Sequence, residues 1–98
     1  MSISAAELRI PRATNVAVSE DTLVVDLSDG RTISVPISWY PRLATGTIDE
    51  RRNCRLIGAG EGIHWPDLDE DISIEALIAG RPSQETQSSL EKWLRSRR

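Results

Sequence analysis

From Val16 to Ile37 apolar and polar residues alternate: Val16 and Val18, then Leu23, Val25 and Leu27, then Ile33, Val35 and Ile37. Alternation of this kind sends one set of side chains to a buried face and the other to water, so the pattern predicts three one-faced strands. Thr22, Asp26, Ser28, Thr32 and Ser34 take the opposite parity, with Val24 the large apolar exception. One face of the sheet is therefore expected to be wet.

Register follows from keeping the apolar sets on one face. A two-residue Asp29-Gly30 loop would set Val25 opposite Ser34 and scramble the faces. A three-residue loop, Ser28 to Gly30, sets Leu27 opposite Arg31, Val25 opposite Ile33 and Leu23 opposite Val35, with Gly30 as the left-handed residue. The same test on the preceding turn pairs Val18 with Leu23 and Val16 with Val25. An antiparallel meander is predicted.

The period changes at Ser38, a residue type suited to capping a helix, followed by Trp39, Tyr40 and Pro41. A short helix ending near Gly46 is expected. Thr47 and Glu50 match a capping box, which predicts a second short helix from Ile48 to about Asn53. Cys54 to Ile57 reads as a fourth strand entering a glycine-rich turn at Gly58, Gly60 and Gly62 and leaving through Ile63, His64 and Trp65, where Pro66 ends it. Asp67 to Asp71 reads as an acidic connection. Ile74, Leu77 and Ile78 then recur at helical spacing between Ser73 and Gly80.

The expected organisation is an N-terminal arm (1–13), one α+β domain (14–80), and a polar lead with a C-terminal amphipathic helix (81–98). Its fold class is α+β: an antiparallel β-meander with a further strand and short helices packed on one face, plus a C-terminal helix. Leu90, Trp93 and Leu94 form an apolar stripe on that last helix, too narrow to hold it in water unaided. The polar stretch before it suggests a reach outward, toward a second chain rather than the same domain.

Composition narrows the class. With 98 residues, 39% hydrophobic and 28% charged, the chain has the size and balance of one globular domain. No apolar run approaches the roughly 18 residues of a membrane helix, and MSISAAELRI has neither the basic nor the apolar region of a secretory signal. A soluble cytoplasmic protein without membrane contact is expected. The lone Cys54 permits no internal disulfide, which suits a reducing compartment. A formal charge of −3 argues against a generic nucleic-acid binder, so direct contact with nucleic acid is not expected despite Lys92, Arg95, Arg97 and Arg98 at the C-terminus.

Gly58-Ala59-Gly60-Glu61-Gly62 lacks the spacing of a dinucleotide or phosphate loop and reads as a turn. Asp67 to Asp71 begins like a calcium loop, but Ile72 and Ile78 stand where glycine and glutamate are required. His64 and Cys54 supply two of the four ligands a structural zinc site needs, and no orienting group for a nucleophile is apparent. No catalytic residue, metal or cofactor is therefore expected. Trp39, Trp65 and Trp93 are three of four aromatics, with Tyr40 the fourth; Trp39 and Trp65 read as core, whereas Trp93 reads equally as core or interface. Eleven arginines against one lysine suit recognition surfaces, since the guanidinium forks onto carboxylates and stacks on tryptophan.

Four segments together resemble the bacterial domain-of-unknown-function family numbered 2442 over about residues 14 to 80. They are Leu27 to Arg31, Val35 to Leu43, Glu50 to Asn53, and Gly60 to Ser73. The resemblance implies a small α+β domain, usually free-standing and sometimes fused to a helix-turn-helix, with no established catalytic residue. It also implies a neighbouring gene for a second small protein, of the domain-of-unknown-function family numbered 4160, in the manner of a toxin and antitoxin pair. The 18 residues after Gly80 are too few for a DNA-binding domain.

The expected function is thus a protein-interaction module, antitoxin-like, whose partner is a neighbouring-gene product or a second copy of itself. Its expected surface comprises Trp39, Tyr40, Arg42, His64, Trp65 and Trp93. The alternative is a small-ligand-sensing regulatory domain with a pocket near Trp39, His64 and Trp65.

Overall fold

The computed structural model describes residues 10–97, so most of the expected N-terminal arm lies outside the described residues. Three strands, β1 (Ala13–Val18), β2 (Thr22–Leu27) and β3 (Thr32–Pro36), form an antiparallel meander in that order. Its register is the one parity demands: Val16 faces Val25, Val18 faces Leu23, Val25 faces Ile33 and Leu23 faces Val35. Leu27 donates its amide to the Arg31 carbonyl at 2.8 Å, closing the three-residue loop, and Gly30 has φ +93°. Leu23 and Val25 have no exposed surface, while Thr22, Val24 and Asp26 are only partly covered. Burying each such side chain contributes about 1.5–3 kcal/mol, which penalises a one-residue slip heavily.

A 3-10 turn (Ile37–Trp39) leads into α1 (Pro41–Thr45) and α2 (Ile48–Arg52). Ser38 sits inside that turn, and Tyr40 precedes α1 without a side-chain cap, so the expected Ser38 cap is not formed. Proline at the first helical position explains the shift, because its fixed φ starts the helix at Pro41, two residues later than a Ser38 cap would. The Thr47–Glu50 capping box is complete, with Thr47 Oγ1 accepting from the Glu50 amide at 3.1 Å and Glu50 Oε1 accepting from the Thr47 amide at 2.9 Å.

The second half holds a separate antiparallel sheet of β4 (Arg55–Ile57), β5 (Gly62–Trp65) and β6 (Glu70–Ser73), again in sequence order. The one further strand expected is therefore three. The acidic stretch read as a connection supplies β6: Ile72 pairs with Ile63 and is buried, while Asp71 pairs with His64 on the outer face. α3 (Ile74–Ile78) follows, capped by Ser73 Oγ accepting from the Ala76 amide at 3.0 Å, and α4 (Gln87–Ser96) ends the described chain.

Both sheets contribute to one hydrophobic cluster. Leu23, Val25 and Val35 come from the first, Ile63, Trp65 and Ile72 from the second, with Leu43, Leu68 and Leu77 beside them. Trp93 belongs to the same cluster at 9% exposure, and Leu90 and Leu94 pack against it. The C-terminal helix thus docks on its own domain, not on a second chain. Among the described residues no helix is long and apolar enough to cross a membrane.

Candidate functional site

The six residues expected to form a surface divide between three environments. Trp65 is fully buried and donates its indole N–H to the Arg51 carbonyl at 2.8 Å. Tyr40 is buried too, but its hydroxyl has no hydrogen-bond partner, and burial, followed by the nearby Glu70 carboxylate, pushes its pKa to about 12. Trp39 is half-buried against the core. His64 lies on the outer face of the second sheet, between Arg55 and Asp71 in register, with Nδ1 2.5 Å from Asp71 Oδ1. Because neighbours along a strand point to opposite faces, His64 and Trp65 do not wall a common pocket.

Arg42 and Trp93 meet in a polar clasp that holds α4. Arg42 Nε lies 2.9 Å from Glu85 Oε1 and Nη2 lies 2.6 Å from Oε2, while Nη1 donates to the Asp69 carbonyl at 2.8 Å. The guanidinium also stands over the Trp93 ring, 4.9 Å from its centroid. Arg97 covers the same ring at 4.7 Å and reaches Glu50 Oε1 at 2.9 Å and the Asp67 carbonyl at 2.9 Å. The Arg42 hydrogen bonds hold the Glu85 carboxyl below its ordinary range. Glu50 is lowered as well, first by the Thr47 amide and then by Arg97. Ser83 adds a backbone bond to the Trp39 carbonyl at 3.0 Å.

Glu85, Glu50, Arg97 and Arg51 carry this architecture; Glu50 was expected only as a helix cap and Arg97 only as one of a basic C-terminal group, and none of the four was expected at the site. Arg51 ties three carbonyls, those of Leu43, Ala44 and Glu20, at 2.7, 2.8 and 2.8 Å. The partners that place them in the clasp, Arg42 for Glu85 and Arg97 for Glu50, are 43 and 47 residues distant, so no local pattern marks those pairs. A cleft of about 340 Å³ beside the clasp is lined by Arg42, Asp69, Glu70, Asp71, Ser83 and Glu85. Within it Arg42 pairs with Glu85 at 2.6 Å and with Asp69 at 3.6 Å. Glu70 is half-buried there, and desolvation raises its carboxyl above the usual range.

The clasp thus turns Arg42, Arg97 and Trp93 to holding the fold, and exposed apolar surface lies elsewhere. Among the described residues the exposed large hydrophobic side chains are Ile10, Leu56 and Ile57, at 49%, 38% and 37%. All three flank the β4–β5 hairpin: Leu56 and Ile57 form β4, and Ile10 lines a hollow of about 460 Å³ with Pro11, Arg12 and Glu61. Sequence held a signal for this edge. Adjacent Leu56 and Ile57 cannot both face one core, since side chains alternate along a strand. A second cleft, about 210 Å³, separates Thr14, Asn15 and Val16 of β1 from Cys54, Arg55 and Leu56. Burial raises the Cys54 thiol, which keeps it in the unreactive protonated form.

The glycine-rich turn is shaped by close backbone approach. Gly60 has φ +95°, its carbonyl accepts from the Ala13 amide at 2.8 Å, and a Cβ there would lie 2.5 Å from the Ala13 oxygen.

The family model described as "Protein of unknown function (DUF2442)" matches residues 13–83, a span that stops short of α4. A protein of unknown function from Rhodospirillum rubrum, solved by crystallography, is 30% identical, with 84% of this chain and 99% of that chain covered and a TM-score of 0.68. An uncharacterized protein from Chromobacterium violaceum, solved by solution NMR, is 21% identical, with 99% and 96% covered and a TM-score of 0.66, a likeness of fold alone. No curated protein matches the chain.

Proposed function

This chain belongs to the DUF2442 family, and from that premise we propose that it is a protein-binding module whose contact face is the exposed β4–β5 hairpin. One observation carries the reading: among the described residues the exposed large apolar side chains gather around that hairpin, while Trp65, Tyr40 and Trp93 are buried within the fold. Apolar side chains grouped at a sheet edge support a partner site better than the same side chains scattered singly. The partner expected is the product of the neighbouring gene, which gives the module its antitoxin-like role.

Co-expression of the full chain with that product, followed by size exclusion, tests the proposal. The wild type is expected to elute as a complex and the Leu56→Asp variant as free protein with unchanged circular dichroism. Absence of any complex, or a complex indifferent to Leu56→Asp, overturns it.

A further inference from the structure

β1 and β4 are outer strands of their sheets, and they face one another across the cleft lined by residues 14–16 and 54–56. Although the two sheets share one core, at this edge the backbone hydrogen bond between them is that from the Ala13 amide to the Gly60 carbonyl. Beyond that bond, no backbone hydrogen bond joins Thr14, Asn15 or Val16 to β4 among the described residues. An outer strand with free amides and carbonyls is a template for another extended segment.

Charge decides what that segment is. Arg55 lies on β4 and Arg52 ends α2 just before it, and among the described residues neither has a carboxylate within salt-bridge distance. Both are exposed, beside the exposed Leu56 and Ile57. Self-pairing of two copies centred on Leu56 would bring their Arg55 guanidiniums to diagonal positions, where like charges repel. A strand alternating acidic and apolar residues would instead place carboxylates at the arginines and apolar groups on Leu56.

Resting on the hairpin reading above, we infer that the β4 edge receives an extended acidic–apolar strand of the partner by β-strand addition. β4 has three residues, so few backbone bonds form and the arginine pairs must supply much of the affinity. Binding is therefore weak and salt-sensitive.

The probe is a fluorescein-labelled peptide alternating glutamate with valine or isoleucine, titrated with the full chain by fluorescence anisotropy. Saturable binding is expected, weakened about tenfold or more by Arg55→Glu. It is also expected to weaken with salt and to vanish when alternate peptide amides are N-methylated, which blocks strand pairing without changing charge. Because Arg55 is exposed, the variant should melt like the wild type, and its melting curve is recorded alongside. A lysine-for-glutamate peptide that binds equally well overturns the charge assignment. Binding that survives N-methylation overturns strand addition. If light scattering shows a dimer that Arg55→Glu leaves intact and that excludes the peptide, a second copy covers the edge and the inference fails. A peptide that does not bind while the Leu56-dependent complex with the neighbouring-gene product persists overturns the strand chemistry alone, whereas loss of both overturns the hairpin reading too.

Discussion

Replacing Trp93 by alanine tests whether α4 belongs to the domain. Trp93 is 9% exposed, joins the core cluster and carries two guanidiniums over its ring. Truncating a buried tryptophan costs about 3–5 kcal/mol, and each cation–π contact at a partly exposed site contributes about 0.5–1 kcal/mol. The truncation figure already includes such contacts, so they are not added to it. A ten-residue helix is marginal in water by itself, which caps the loss at the free energy of docking α4. A loss of about 3 kcal/mol is a large share of the roughly 5–15 kcal/mol that stabilises a domain. At about 4–8 °C per kcal/mol for a chain of this size, Tm should fall by at least ~12 °C. Urea denaturation followed by circular dichroism measures the loss, and limited proteolysis locates it, with new cleavage expected in residues 81–86. An unfolding midpoint within about 0.5 kcal/mol of wild type, the usual range for surface substitutions, together with unchanged protease resistance, would refute the reasoning.

Tyr40→Phe should leave stability unchanged or raise it by about 1 kcal/mol, since the buried hydroxyl that it removes has no partner; a loss above that size in thermal melts would mean that the hydroxyl is hydrogen-bonded after all. Gly60→Ala should destabilise by more than about 1 kcal/mol, because the new Cβ meets the Ala13 oxygen at 2.5 Å in a left-handed conformation; an unchanged Tm would contradict the close approach. Acid should loosen α4 before the sheets. Glu85 is depressed in the fold, chiefly by its Arg42 hydrogen bonds, so its contribution is present above the ordinary carboxylate pKa and is lost as pH falls through the lowered value. Glu70 is raised by burial, so its contribution is fully present below the ordinary value and is lost as pH rises through the raised one. Cleavage within 81–86 by an acid-active protease should therefore increase below the ordinary carboxylate range, and an identical response from Glu85→Gln would count against the assignment.

The meander was legible because its determinants are local. Parity alone places Leu23, Val25 and Val35 on one face, and a left-handed Gly30 leaves a single loop length that keeps them there. The capping box at Thr47 and Glu50 is equally local, with both partners within one helical turn. Ser38 misled because two start signals compete, and the rigid φ of Pro41 outweighs a serine that would need the helix to begin earlier. β6 was missed because Glu70 and Asp71 look solvated in isolation; hydrogen bonding to β5 and the nearby charge of Arg42 make an acidic strand tenable.

Periodicity showed that Leu90, Trp93 and Leu94 form a stripe, but not what covers it. That depended on Arg42, Glu50 and the Asp67 carbonyl, brought to the helix only when residues 30 and more positions apart in sequence fold together. The same holds for the candidate surface. Residue type told which side chains could recognise a partner, whereas exposure is a property of the packed chain. Packing turned Tyr40, Trp65 and Trp93 inward and left Leu56 and Ile57 in water, since a three-residue outer strand has a neighbour on one side only.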